Sequence, residues 1–387
     1  MEFLYFYRVP LPDARADAIQ IVNTCAGIVK AGAGVTLCVE TIRSASTQEC
    51  LAFYGVAAPG LRLTALGRHW SWPLFTLSLR RVMKRPTTTT CLFVREVRPY
   101  VPGLIRRARA LGMTVLFEAH NVSAALVNEK QRRTGAGPEL GRKAAARATL
   151  EAAILESIDG LVCTQRATLD GLKDLIRPGL STIVLGNGTQ LPPAAPGSPK
   201  EIDVLYCGSL KPWKGVDTLI AALRQLPGRT LTLVGPATPS DAERVRDLAR
   251  EAGALDRIAI LPPVKPVEVW ALYARARVGV IPLPGRDYVE AREFTSPLKL
   301  FEMMAAGLPV VASRLPSLAE YVTDGREAVL VPPDDPAALA SGISRVANDP
   351  GLAARLSGAA RTRASAFTWD ARGRDLLAFA ERVARPA

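Results

Sequence analysis

Residues 295–313 read TSPLKLFEMMAAGLPVVAS. Thr-Ser-Pro ahead of an apolar run closed by Gly307 predicts a short helix, with Thr295 or Ser296 available to cap it and Pro297 suited to its first turn. Leu298, Phe301 and Ala305 then share one face, and Lys299 and Glu302, three positions apart, share another. The strand-like run VGVIPL (278–283) precedes this helix and PVVAS (309–313) follows it, so the stretch reads as strand, helix, strand. A helix starting near the carboxyl end of a strand offers free amides and a positive dipole end to a phosphate or a sugar hydroxyl. Glu302, more than one turn in, suits two vicinal hydroxyls of a ribose, because a carboxylate accepts two hydrogen bonds. The plainer alternative is an exposed Lys–Glu pair that only steadies the helix.

The same alternation extends along most of the chain. Strands are predicted at FLYFYR (3–8), VTLCVE (35–40), CLFVRE (91–96), TVLFEA (114–119), GLVCT (160–164) and TIVL (182–185), with helices over 17–31, 99–111, 139–157 and 166–176. NGTQLPPAAPGSPKE (187–201) interrupts the rhythm as a Pro/Gly/Ser linker would. It resumes with DVLYCG (203–208), a helix near 214–226, TLTLVG (230–235), IAIL (258–261), VGVIPL, PVVAS and AVLVP (328–332). Strand and helix in alternation predict parallel sheets covered on both faces, here as two Rossmann-like α/β domains, 1–187 and 188–368. In such a pair the ligand is expected in the crevice at the carboxyl ends of the strands.

Length and composition agree with two domains. The chain has 387 residues, 48% apolar and 22% charged, enough for two cores. No apolar run approaches the roughly 18–20 residues that span a bilayer. MEFLYFYRVP (1–10) lacks the basic start and long apolar core of a signal peptide, so a cytoplasmic location is expected. Cys25, Cys38, Cys50, Cys91, Cys163 and Cys207 form no CxxC pair, and neither disulfides nor a zinc site is indicated. The net charge is +13, of which residues 1–190 carry +10, a field that favours an anionic partner. GxxxxGK[ST], HExxH and an Asp-x-Asp pair are all absent, and AGAGVTL (31–37) closes a helix where a dinucleotide fingerprint would open one.

YCGSLKPWKGVDTLIAAL (206–223) is the second informative stretch. A strand ends at Gly208, a short loop carries Lys211 and Lys214, and Gly215 opens a helix. Two ammonium groups there suit a diphosphate, whose charge is costly to bury unpaired; solvated loop lysines are the alternative.

GSLKPWKG and SPLKLFEMMAAGLPVVAS together resemble the C-terminal domain of the GT-B glycosyltransferases, in particular the large retaining family 4. That family shows a strand, Gly, an Arg, Lys-Gly, and then a Glu-x7-Glu helix running into E-A-M-A-x-G-x-P-V-V. ILPPVKPVEVWALYARARVGVIPL (260–283) and EYVTDGREAVLVPPDDPAALA (320–340) fall in the matching order, so the resemblance covers about 200–370 well and the first half loosely. In that half TVLFEAHNV (114–122) places His120 where family members hold a His near the reacting sugar, and VLGNGTQ (184–190) resembles the family's exit from the first domain. FTWDARGRDLLAFAERVARPA (367–387) reads as a terminal helix, and the resemblance implies that 369–387 crosses back to the first domain.

Two positions depart from the family pattern. Ser209 stands where the family has a phosphate-binding Arg, leaving Lys211 or Lys299 to replace it, and the first Glu of Glu-x7-Glu falls on Phe294, with Glu293 beside it.

The resemblance implies transfer of a sugar, with retention, from a UDP- or GDP-sugar to an acceptor hydroxyl in glycan, polysaccharide or glycolipid synthesis. It implies no cofactor and no metal. Gly208, Ser209, Lys211, Lys214, Ser296, Pro297, Leu298 and Lys299 would hold the diphosphate and Glu302 the ribose. Glu293, Phe294 and Thr295 would meet the donor sugar, and His120 would contact it or stabilise charge as the glycosidic bond breaks. The alternatives are a sugar-nucleotide epimerase and a non-catalytic nucleotide-sugar-binding protein of the same fold. In LGRHWSWPLFTLSLRRVMKRP (66–86), Trp70 and Trp72 with Arg80 and Arg81 suggest an acceptor or membrane face, hence a lipid-linked or anionic acceptor and peripheral contact with the inner membrane face. An ordinary domain helix is the alternative. Nucleic acid is disfavoured, since no RRM, KH or helix-turn-helix signature is present.

Overall fold

The computed structural model describes residues 1–67, 82–83, 89–123, 125–126, 138–192, 199–286 and 288–384. The chain divides into two compact units, Met1–Gly186 with Trp369–Ala387, and Asn187–Thr368. Trp70, Trp72, Arg80 and Arg81, the proposed acceptor face, lie outside the described residues.

The first unit contains β1 (Glu2–Phe6), β2 (Pro10–Leu11), β3 (Gly34–Val39), β4 (Thr41–Ile42), β5 (Leu61–Ala65), β6 (Thr90–Val94), β7 (Thr114–Ala119), β8 (Gly160–Cys163) and β9 (Ser181–Val184). Seven of these form one parallel sheet in the order β5-β3-β1-β6-β7-β8-β9, and β2 pairs with β4 separately. The inner strands are apolar throughout, β6 and β7 being buried at every residue, as a sheet covered on both faces requires. The edge strand β5, LRLTA, was not anticipated. It carries an exposed Arg62 and only Leu61 is buried, so it lacks the buried apolar run that marks its neighbours.

The helix Trp369–Val383 returns to this unit and packs along the helix Ala16–Lys30. Their crossing is backbone on backbone. A methyl on Gly27 would fall 2.2 Å from the Trp369 carbonyl oxygen, and one on Gly373 would fall 2.1 Å from the Gly27 carbonyl carbon. Leu376, Phe379 and Ala380 complete the core from the same helix.

The second unit holds β10 (Ile202–Cys207), β11 (Leu231–Val234), β12 (Ile258–Leu261), β13 (Ala276–Ile281), β14 (Val310–Ser313) and β15 (Val329–Val331), parallel in the order β12-β11-β10-β13-β14-β15. Its two ends meet, Thr189 pairing with Thr368. The fold class is therefore the one expected: two parallel α/β domains, with the last helix restored to the first.

Candidate functional site

In the second sheet the strand order reverses between β10 and β13, and at such a switch point the loops part to leave a binding crevice beyond the carboxyl ends. Glycines let three segments converge there. At Gly215, with φ +73°, a Cβ would stand 1.6 Å from the Pro282 carbonyl oxygen at the end of β13, and at Gly235 it would stand 2.2 Å from the Gly208 carbonyl oxygen. A Cβ on Gly208 would lie 2.3 Å from Lys299 Nζ. At Gly215 and Gly235 the neighbour is backbone, so only a residue without a side chain fits there.

Lys299 projects from the helix Leu298–Ala306 so that its ammonium sits 4.6 Å from the centroid of the Tyr206 ring. Burial and then the neighbouring Lys214 cation push it down to about 7. Burial also depresses Lys214, against the attraction of Glu290. Among the described residues neither ammonium makes an ion pair. Lys211, expected to share the work of Lys214, turns to Asp241 instead, Nζ to carboxylate 2.8 Å, and Asp241 also belongs to the capping box formed with Thr238. The lysine beside Lys214 is thus Lys299.

Glu302, one turn further along the helix, accepts a hydrogen bond from the Tyr273 hydroxyl at 2.8 Å. Burial raises its pKa although Tyr273 and then Lys299 oppose the shift. One oxygen is fixed by Tyr273, and carboxylate chemistry leaves acceptor capacity on the other. Tyr273 is 29 residues away, and its role has no local sequence signal.

The helix start differs from expectation. Pro297 occupies the capping position itself, and no side chain caps the helix. The Thr295 hydroxyl donates to the Glu290 carbonyl, while Ser296 Oγ accepts from the Asn187 amide at 3.0 Å and the Tyr321 hydroxyl at 3.2 Å. Asn187 Nδ2 also donates to the Ser296 carbonyl at 2.5 Å. Glu290–Phe294 form a π-helical turn in which Glu293 accepts from Arg292 and Phe294 is buried. Such turns recur at functional sites. Ser209 contributes its carbonyl to the Tyr206 hydroxyl.

In the first unit the order reverses between β1 and β6, and His120 follows β7, next but one to that point. Its Nε2 lies 3.1 Å from Glu118 Oε1, off the axis of a straight hydrogen bond, and among the described residues it has no other partner. Burial, with Arg95 assisting, pushes the imidazole down to about 4 despite the attraction of Glu118. Glu118 is fully buried; against the upward push of burial, Arg372 first and then His120 hold its carboxyl far below the usual range. Arg372 Nη2 donates to it at 2.7 Å from the terminal helix. Sequence reading missed this pair, whose members are 254 residues apart.

Among the described residues no helix is long and apolar enough to cross a membrane.

Residues 201–349 match the family model of the glycosyl transferases group 1. The chain is 31% identical over 271 residues to a glycogen synthase of Mycobacterium tuberculosis, a match taking in 67% of this chain and 62% of that protein, so it spans less than two thirds of the curated relative's length. Among solved structures, a sucrose-phosphate synthase from Thermosynechococcus elongatus superposes with a TM-score of 0.77 at 21% identity, covering 99% of this chain and 98% of the other. Anabaena Alr3699/HepE, solved with UDP and glucose, gives 0.73 at 16% identity over 99% and 100%. The fold is that of the GT-B glycosyltransferases, and residues 201–349 form a glycosyl transferases group 1 domain.

Proposed function

We propose that this protein is a hexosyltransferase that moves a sugar from a UDP- or GDP-sugar to an acceptor hydroxyl and keeps the anomeric configuration. The observation that carries the reading is the pair Lys214 and Lys299, two desolvated cations without an ion-pair partner among the described residues, at the switch point of the second sheet. Placing like charges together out of water is unfavourable, and a diphosphate would relieve it. The UDP complexes of Anabaena Alr3699/HepE, which shares the fold, support the same class of donor.

In this reading the reaction breaks the bond between the sugar's anomeric carbon and the diphosphate. Negative charge grows on the phosphate as positive charge grows on the sugar. Lys214 and Lys299 are set in place beforehand and stabilise that departing charge, as preorganised groups do, without a metal ion. Glu302 holds the ribose with the oxygen that Tyr273 leaves free. His120 contacts the sugar, and the acceptor attacks from the face the diphosphate leaves, so no enzyme nucleophile is assigned. The first unit, with its basic sequence, takes the acceptor.

Thermal unfolding with UDP, GDP, ADP, dTDP and NAD, each with and without a chelator, tests this. One nucleoside diphosphate is expected to stabilise the protein by about 2.7 kcal/mol at a hundred times its Kd, regardless of chelator. Absence of any shift, or an equal shift in Lys214→Ala, would remove the donor site from the lysine pair.

A further inference from the structure

The reaction as proposed leaves the carboxylate of Glu118 without a task. It lies two residues before His120 on the strand side of the same run, where alternation puts both side chains on one face of the sheet. Its partners converge from separate elements. The Tyr5 hydroxyl on β1 donates to Oε2 at 3.2 Å, and Gln20 Nε2 and Arg372 Nη2 each donate to Oε1 at 2.7 Å. Arg372 is fixed in turn by the Thr24 hydroxyl and by the carbonyls of Leu185 and Gly186, and Arg95 donates to the Gln20 amide oxygen. The carboxylate is held from three sides, and His120 Nε2, 3.1 Å from Oε1, stands at its remaining approach.

An ionised carboxylate only accepts hydrogen bonds, so a ring nitrogen facing it must carry the proton. Among the described residues Nε2 has nothing else to meet. Glu118, Arg95 and Arg372 are the charged groups acting on the ring, with Glu118 favouring its charged form and both arginines and burial opposing it; the balance keeps the imidazole neutral near pH 7. The carboxylate therefore selects a tautomer and does not create a cation. The oblique approach is the usual state of such contacts before a substrate complex tightens them.

We infer that Glu118 is a positioning residue for His120, holding the ring with Nε2–H toward Oε1 so that Nδ1 is the bare acceptor presented to a sugar or acceptor hydroxyl. Arg372 secures Glu118 from the terminal helix. This inference rests on the reading of His120 as a residue that meets the substrate.

The test exploits a chain with only two histidines, His69 and His120. Long-range proton–nitrogen NMR of the full-length protein, assigned with His69→Gln, is expected to show His120 as a single Nε2–H tautomer that does not titrate between pH 5.5 and 8. In Glu118→Gln the two tautomers should mix. Turnover of UDP-glucose or GDP-glucose, whichever nucleotide binds, should fall about tenfold to a hundredfold with the donor KM unchanged, as for partners that orient an imidazole. His120→Ala should lose at least as much, and the double variant no more than His120→Ala. An Nδ1–H or mixed ring in the unaltered protein overturns the inference even if Glu118→Gln does not fold. Undiminished turnover in His120→Ala alongside a fixed Nε2–H ring overturns the reading of His120 itself.

Discussion

Lys299 is a lysine poised to change charge near neutral pH, and the signs of its linkage can be worked out. In the ligand-free protein the folded ammonium releases its proton from about 7, against 10.5 for an ordinary lysine. Between those values the unfolded chain binds more protons, so this group makes stability rise with pH there, with its most unfavourable contribution below about 7. A bound diphosphate would raise the ammonium's pKa again. Nucleotide binding should then take up a proton above about pH 7 and weaken as pH rises, by up to about tenfold per unit, with no dependence from this group below that value. Calorimetry at pH 8 in buffers of different ionisation enthalpy reads that uptake directly. Lys299→Met should stabilise the ligand-free protein and weaken nucleotide binding by about ten- to a hundredfold, since hydrogen bonds to charged groups are worth about 1.5–3 kcal/mol. Tyr273→Phe should weaken binding less, by several-fold, because it frees Glu302 without removing it; titration with the nucleotide would show the difference. Much of this was legible at residue scale: the three-residue spacing of Lys299 and Glu302 and the run KPWKG pointed to the helix and the loop that carry the two desolvated lysines. Their partners were not, because Tyr273 and Asp241 meet Glu302 and Lys211 through tertiary packing across about thirty residues.

At the scale of elements, glycines decide which approaches are allowed. Gly215 is left-handed and faces the Pro282 carbonyl, so Gly215→Ala combines backbone strain with a collision. It should destabilise the second unit by at least about 1–2 kcal/mol, visible as a lower urea midpoint. The close crossing of the helices Ala16–Lys30 and Trp369–Val383 makes Gly373→Ala an overpacking change costing about 1–3 kcal/mol. The inner strands could be read from sequence because burial on both faces demands unbroken apolar runs. β5 could not, since an edge strand with an exposed Arg62 carries only a weak alternation. The helix start at Pro297 escaped for another reason: Thr295 and Ser296 are both good caps by type, but the Thr295 hydroxyl turns back to the Glu290 carbonyl and Ser296 is drawn into a tertiary hydrogen bond with Asn187.

For the whole molecule, the two-unit plan followed from the repeated rhythm and its interruption near 187–201, whereas the tie between Arg372 and Glu118 lay beyond any pattern of spacing. The pair is buried, and removing one partner strands the other's charge. Arg372→Ala should destabilise the first unit by about 3–5 kcal/mol, measured by denaturant unfolding, while nucleotide binding to the second unit persists. The second unit is contiguous in sequence and the first is not. On the ribosome, where chain order is also time order, domains usually complete in sequence from the N-terminus. Here that order is inverted: Glu118 is synthesised early and must wait through the whole of Asn187–Thr368 for its arginine. The second unit can finish while the half that begins the chain is still open, and a nascent protein stalled before residue 369 would expose the face of the helix Ala16–Lys30 that the last helix covers.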